Sequence, residues 1–163
     1  MPKAGAVITC ILVIAAAVRT GAGYQRQGSA APDSQRFLGT WRLISIDADG
    51  KPDPNRGPHP KGVIYYDATG HMGVQIVPDR PRPAWNGLGA PPTLEEAREA
   101  AIGFTAYYGT YTVDEREHTV THHREGAFNL AVPDLVRKYE FSGDRLILTP
   151  PNSKNHLTWE RIR

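Results

Sequence analysis

The sequence predicts an all-β domain of eight short antiparallel strands closed into an up-and-down barrel, with one short α-helix. Three observations carry this. Strand-like segments of five to ten residues follow one another, each closed by Gly, Asp, Asn or Pro turn chemistry. The first and last of them each hold a tryptophan, Trp41 and Trp159, and pairing these two segments would remove the sheet's edges. Only one segment begins with a helix-start signal.

The elements run as follows. Lys3, the apolar run Ala4–Val18 and the small residues Gly21, Ala22 and Gly23 have the pattern of a secretory signal over residues 1–23. The run is short for a transmembrane helix, which needs about 20 apolar residues. Its removal takes away Cys10, the only cysteine, so the exported domain is expected to lack disulfides. It also takes away Lys3 and Arg19 and no acid, so 19 basic and 17 acidic residues become 17 of each. A neutral domain does not fit nucleic acid or an anionic membrane. Contact with a membrane is expected only if the leader stays uncut. Residues 24–36 are polar and small and read as a flexible lead-in.

Residues 37–46 form the first strand, with Trp41, Leu43 and Ser45 on one face. The proline-rich stretch 51–61 is a long loop. Residues 62–66 and 71–77 make a hairpin across Asp67–Gly70, and Met72, Val74 and Ile76 are expected inward. A second proline-rich loop runs over 78–92 and carries Trp85, expected to pack on something. Both loops are candidates for flaps over a cavity. Thr93 and Glu96 make a capping box for a helix of about three turns, with Leu94, Ala97, Ala101, Phe104 and Tyr108 on one stripe. Four more strands follow at 105–113, 118–124, 135–141 and 145–149, and the last covers 156–162. Eight strands suffice for a barrel whose interior can hold one small ligand.

Particular pieces then resemble the lipocalin-like domain family. They are Leu38-Gly39-Thr40-Trp41, Gly62-x-Ile64-x-Tyr66, Gly70-His71-Met72, Tyr108-Gly109-Thr110-Tyr111, Val120-Thr121-His122-His123-x-Glu125-Gly126 and Gly143-Asp144-Arg145-Leu146. They spread over residues 37–163. The resemblance implies an eight-stranded lipocalin-type barrel, with Arg161 matching the lipocalin arginine that packs over the signature tryptophan, here Trp41. It implies little about activity. The loop after Gly126 reads Ala127-Phe128-Asn129-Leu130, where relatives often have Phe-Pro-Asn-Trp.

The candidate site residues follow from alternation. Val120 and His122 share a face, so His122 is expected inward and His123 outward. His122 is either a cavity hydrogen-bonding group or a satisfied core histidine. A metal centre needs three or four converging ligands, and either face of this strand supplies two, so no metal is expected. Arg137, Tyr139 and Phe141 share a face. If that face is inward, Arg137 needs a partner, either a ligand carboxylate or Glu125 or Asp114. Tyr66, Tyr108 and Tyr111 offer an apolar ring with a polar tip, for a cavity or for the core. Ser45 and Gln75 are candidate polar cavity groups. Gly39 and Gly109 read as close-packing positions, and Trp41 with Arg161 as a structural cation–aromatic pair at the closed end. There is no nucleophile elbow, phosphate-cradling loop or zinc spacing, so no cofactor is expected. The leading reading is a secreted or periplasmic module binding a small hydrophobic or amphipathic molecule. Its rivals are a cofactor-independent isomerase or cyclase, with His122 as acid or base and Arg137 or a tyrosine holding an oxyanion, and a structural domain with a filled core.

Overall fold

Gly39 turns the chain into the first strand with a φ of 119°, which a side chain would resist. From there the alternating apolar segments form β1 (Gly39–Ala48), β2 (Lys51–Pro52), β3 (Lys61–Tyr66), β4 (His71–Val77), β5 (Thr105–Asp114), β6 (Thr119–Ala127), β7 (Asp134–Ser142), β8 (Arg145–Thr149) and β9 (Asn155–Arg161). The helices are α1 (Asp33–Phe37) and α2 (Leu94–Ala101). This computed structural model describes residues 1, 31–84, 89–129 and 134–163. The expected leader apart from Met1, lead-in residues 24–30 and Trp85 lie outside the described residues.

Neighbouring strands pair antiparallel in the order β2-β1-β3-β4-β5-β6-β7-β8-β9, and β1 also pairs with β9. The sheet is therefore a closed eight-stranded barrel with β2 as a short extra strand. Closure runs from Trp41 opposite Arg161 to Ala48 opposite Asn155. It leaves the barrel strands no free edge.

One end of the barrel is sealed by α1, a helix at Asp33–Phe37 where the sequence reads as a flexible lead-in to residue 36 and the start of a strand at Phe37. α1 delivers Phe37, fully buried, onto the edges of Tyr66, Tyr139 and Phe141 at 5.0–5.1 Å between ring centres. The turn is tied down at several points. Trp41 Nε1 donates to the Phe37 carbonyl at 2.9 Å, and Tyr139 Oη donates to Asp33 Oδ2 at 3.0 Å. Arg161 lies 4.1 Å over the Trp41 ring and donates to the carbonyls of Leu38 and Arg36. A Cβ on Gly39 would come within 2.9 Å of that guanidinium, which accounts for the glycine.

At the other end the two proline-rich loops are joined to each other. Asp79 N donates to the Arg56 carbonyl at 2.7 Å, and His59 N donates to Asp79 Oδ2 at 3.2 Å. The capping box of α2 is present in both halves. The expected apolar stripe is not buried, because the helix stops at Ala101, where Gly103 (φ 76°) turns the chain, and Leu94 is exposed.

Candidate functional site

Two β-bulges decide which side chains enter the barrel. Between Leu43 and Ser45 the register on β9 advances by one residue while β1 advances by two. The extra residue, Ile44, faces out, and Ile46 replaces Ser45 on the inner face. Ser45 is therefore not a cavity group; its hydroxyl turns to Asp47. The second bulge makes Glu125 the extra residue on β6, between Arg124 and Gly126.

Inside the barrel, above the Phe37 seal, lies a cavity of about 310 Å³. Ile46, Ile64, Val74, Ile76, Leu148 and Leu157 supply much of its wall. Its polar groups include Tyr107, His122, Arg124, Arg137, Arg56 and Asn129. The volume sits at the small end of the roughly 300–1,000 Å³ usual for small-molecule sites.

His122 is 1% exposed and held between two phenols. Tyr66 Oη lies 2.8 Å from Nε2 and Tyr107 Oη 2.8 Å from Nδ1. Burial, reinforced by the Arg137 and His123 charges, pushes the imidazole down to about 3, so it is neutral at ordinary pH. Burial likewise raises Tyr107 to about 12 and Tyr66 well above its usual range. A neutral imidazole donates through one nitrogen and accepts at the other. Tyr66 is 1% exposed, and His122 is its hydroxyl's one polar partner among the described residues. Satisfying the Tyr66 proton therefore makes Tyr66 the donor to Nε2 and Nδ1–H the donor to Tyr107. The Tyr107 hydroxyl proton is then left for the cavity.

Arg137 enters the cavity from β7, half-buried, with Nη1 donating to its neighbour's carbonyl, Val136 O, at 2.8 Å. Burial lowers its pKa from the ordinary guanidinium value. Neither Glu125 nor Asp114 pairs with it. Arg124 points inward in phase with His122, its guanidinium 5.7 Å from the Tyr107 ring centre and donating to Asn129. Arg56, from the first proline-rich loop, reaches the cavity already paired to Asp53 at 2.6 Å.

The other expected site residues fall elsewhere. Tyr139 and Tyr111 face inward but pack into the seal around Phe37 instead of lining the cavity. The Tyr111 hydroxyl leaves for the Asp67 carbonyl. Tyr108 is outside the barrel and 59% exposed, as it must be if Tyr107 and Tyr111 face in. It belongs to a row across four strands, Tyr65–Gly73–Tyr108–Gly126. Each tyrosine ring lies over the neighbouring glycine, where a Cβ would come within 2.4–2.6 Å of ring carbon. Gln75 also faces out, between inward Val74 and Ile76. These outer residues line a shallow, uncharged groove of about 660 Å³. His123 faces out as expected, meeting Thr112 and Asp134. Among the described residues no three His, Cys, Asp or Glu converge on a point that could hold a metal ion.

Sequence reasoning missed Tyr107 and Arg124 as cavity residues. The signal was present for both. Tyr107 is four residues from Tyr111, and Arg124 is two from His122, so period-2 alternation puts each on its neighbour's face.

A solved structure, a DUF4847 family protein from Bacteroides vulgatus, is similar over 79% of this chain and 96% of its own at 15% identity, with a TM-score of 0.46. No curated protein matches. The family description "lipocalin-like domain" matches residues 38–162, which takes in every barrel strand, so the chain belongs to the lipocalin-like domain family.

Proposed function

We propose that this protein is an exported carrier or receptor that holds one small amphipathic molecule inside its barrel. The single observation behind this is the interior cavity. Aliphatic side chains wall it, a seal of aromatic rings closes the barrel end beside it, and polar groups reach into it. A core meant only for packing would fill that space, since voids of this size forfeit contact energy. The family supports small-molecule binding in general; the amphipathic character is read from the lining.

Nile red, a neutral dye, tests the reading. It should bind one per chain with a blue-shifted, brighter emission. Leu157→Trp, which fills cavity space, should abolish uptake, while Tyr108→Ala on the outer groove should not. Uptake that survives the filling variant and vanishes with Tyr108→Ala would overturn the interior site. Export is tested separately by fractionation, with a mature N-terminus near residue 24 expected. The isomerase or cyclase reading gains less support. Both His122 nitrogens are already engaged and its pKa is about 3, which suits a positioned hydrogen-bond relay more than a general base near neutral pH.

A further inference from the structure

The cavity's polar side is rich in donors whose protons lack partners. Among the described residues, four buried side-chain polar atoms lack a hydrogen-bond partner, and three of them belong to cavity-lining residues: Arg56 Nε, Arg124 Nε and Trp159 Nε1. All three are N–H groups. Tyr107 adds a hydroxyl proton by the accounting above, and Arg137 adds a fork of N–H groups with only a backbone carbonyl as partner.

Charge points the same way. All 17 acidic side chains of the sequence lie among the described residues, and none lines the cavity. Asp53 neutralises Arg56. No acid pairs with Arg124 or Arg137 among the described residues. Two cations in a largely apolar enclosure are costly unless an anion joins them.

From this geometry we infer that the bound molecule is an apolar chain or ring ending in a carboxylate, its head held by Arg137 and Arg124 and by the Tyr107 hydroxyl. A carboxylate offers acceptor sites only, matching a donor-rich lining, and its two oxygens fit the guanidinium fork. The apolar remainder would lie against Ile64, Val74 and Leu148. Tyr66 and His122 act here as positioning residues, fixing the direction in which Tyr107 donates. The inference rests on the interior site proposed above.

Competition against bound Nile red at pH 7.5 tests it with decanoate, methyl decanoate and decylamine on the full chain. Decanoate should bind at least about tenfold tighter than the ester, the scale of one or more charge-assisted hydrogen bonds, and the amine weakest of all. Arg137→Gln should weaken decanoate by about tenfold or more and leave the ester within about twofold. Tyr107→Phe should weaken the acid by a smaller factor. The acid–ester comparison needs no variant, so a misfolded Arg137→Gln protein does not spare the inference. Equal binding of acid and ester, or a preference for the amine, would overturn it while leaving the Nile red site intact. Failure of Nile red and of all three competitors would overturn both. The His122 ring is an independent check. Nitrogen-15 NMR should show the proton on Nδ1, and a proton on Nε2 would remove Tyr107 as a donor to the head group.

Discussion

The neutrality of His122 predicts a specific weakness in acid. In the folded protein the imidazole resists protonation down to a pKa of about 3, whereas an unstructured histidine titrates near 6.5. Below pH 6.5 the unfolded chain therefore binds a proton that the folded chain refuses, and stability falls as pH falls. The effect is absent above that pH and accumulates down to about pH 3. Each pH unit within the window removes about 1.4 kcal/mol, so by pH 4.5 His122 alone removes about 3 kcal/mol. That is a large share of the roughly 5–15 kcal/mol typical of a domain. The assay is urea unfolding followed by tryptophan fluorescence at pH 7.5, 6.5, 5.5 and 4.5, for the natural protein and for His122→Gln. The variant starts less stable, because it disturbs the two phenol contacts, but its decline with acid should be shallower by about 3 kcal/mol at pH 4.5. Other titrating groups contribute to both proteins and cancel in the difference. Parallel decline of the two would mean that His122 is not held neutral, and the hydrogen-bond relay built on it would fall.

Other perturbations test the frame around the site. Phe37→Ala should destabilise by about 3–5 kcal/mol in urea unfolding, because it empties the seal between Tyr66, Tyr139 and Phe141. A cost below about 1 kcal/mol would show that α1 does not close the barrel. Gly109→Ala places a Cβ 2.0 Å from the His123 carbonyl oxygen, so its melting temperature by circular dichroism should collapse or no soluble protein should form. Thr93→Ala removes one half of the capping box and should cost about 1 kcal/mol, read as faster hydrogen exchange at the Glu96 amide that Thr93 Oγ1 now holds.

Much of this architecture is legible in one sequence because antiparallel strands alternate. Val120 and His122 face where period-2 reasoning puts them, and Arg137, Tyr139 and Phe141 share one face, which alternation alone leaves unassigned and the structure turns inward. Trp41 and Arg161 meet at the closed end, as the family resemblance implies. The failures have separate causes. Ile44 and Glu125 are bulge residues, and a bulge shifts the phase of every residue beyond it with no composition signal of its own. Ser45 was expected inside for that reason. Tyr108 and Gln75 are a different case, since their inward neighbours Tyr111, Val74 and Ile76 already required them to face out. The α1 seal was hidden because five residues carry too little periodicity to read, and its stability comes from tertiary contacts with Trp41, Tyr139 and Arg161.

A crystal structure of the protein grown with decanoate tests the interior site most directly. One molecule is expected within the barrel, its chain against Ile64, Val74 and Leu148 and its carboxylate on Arg137. Density confined to the outer groove beside Tyr65 and Tyr108, with the interior closed by its own side chains, would contradict it.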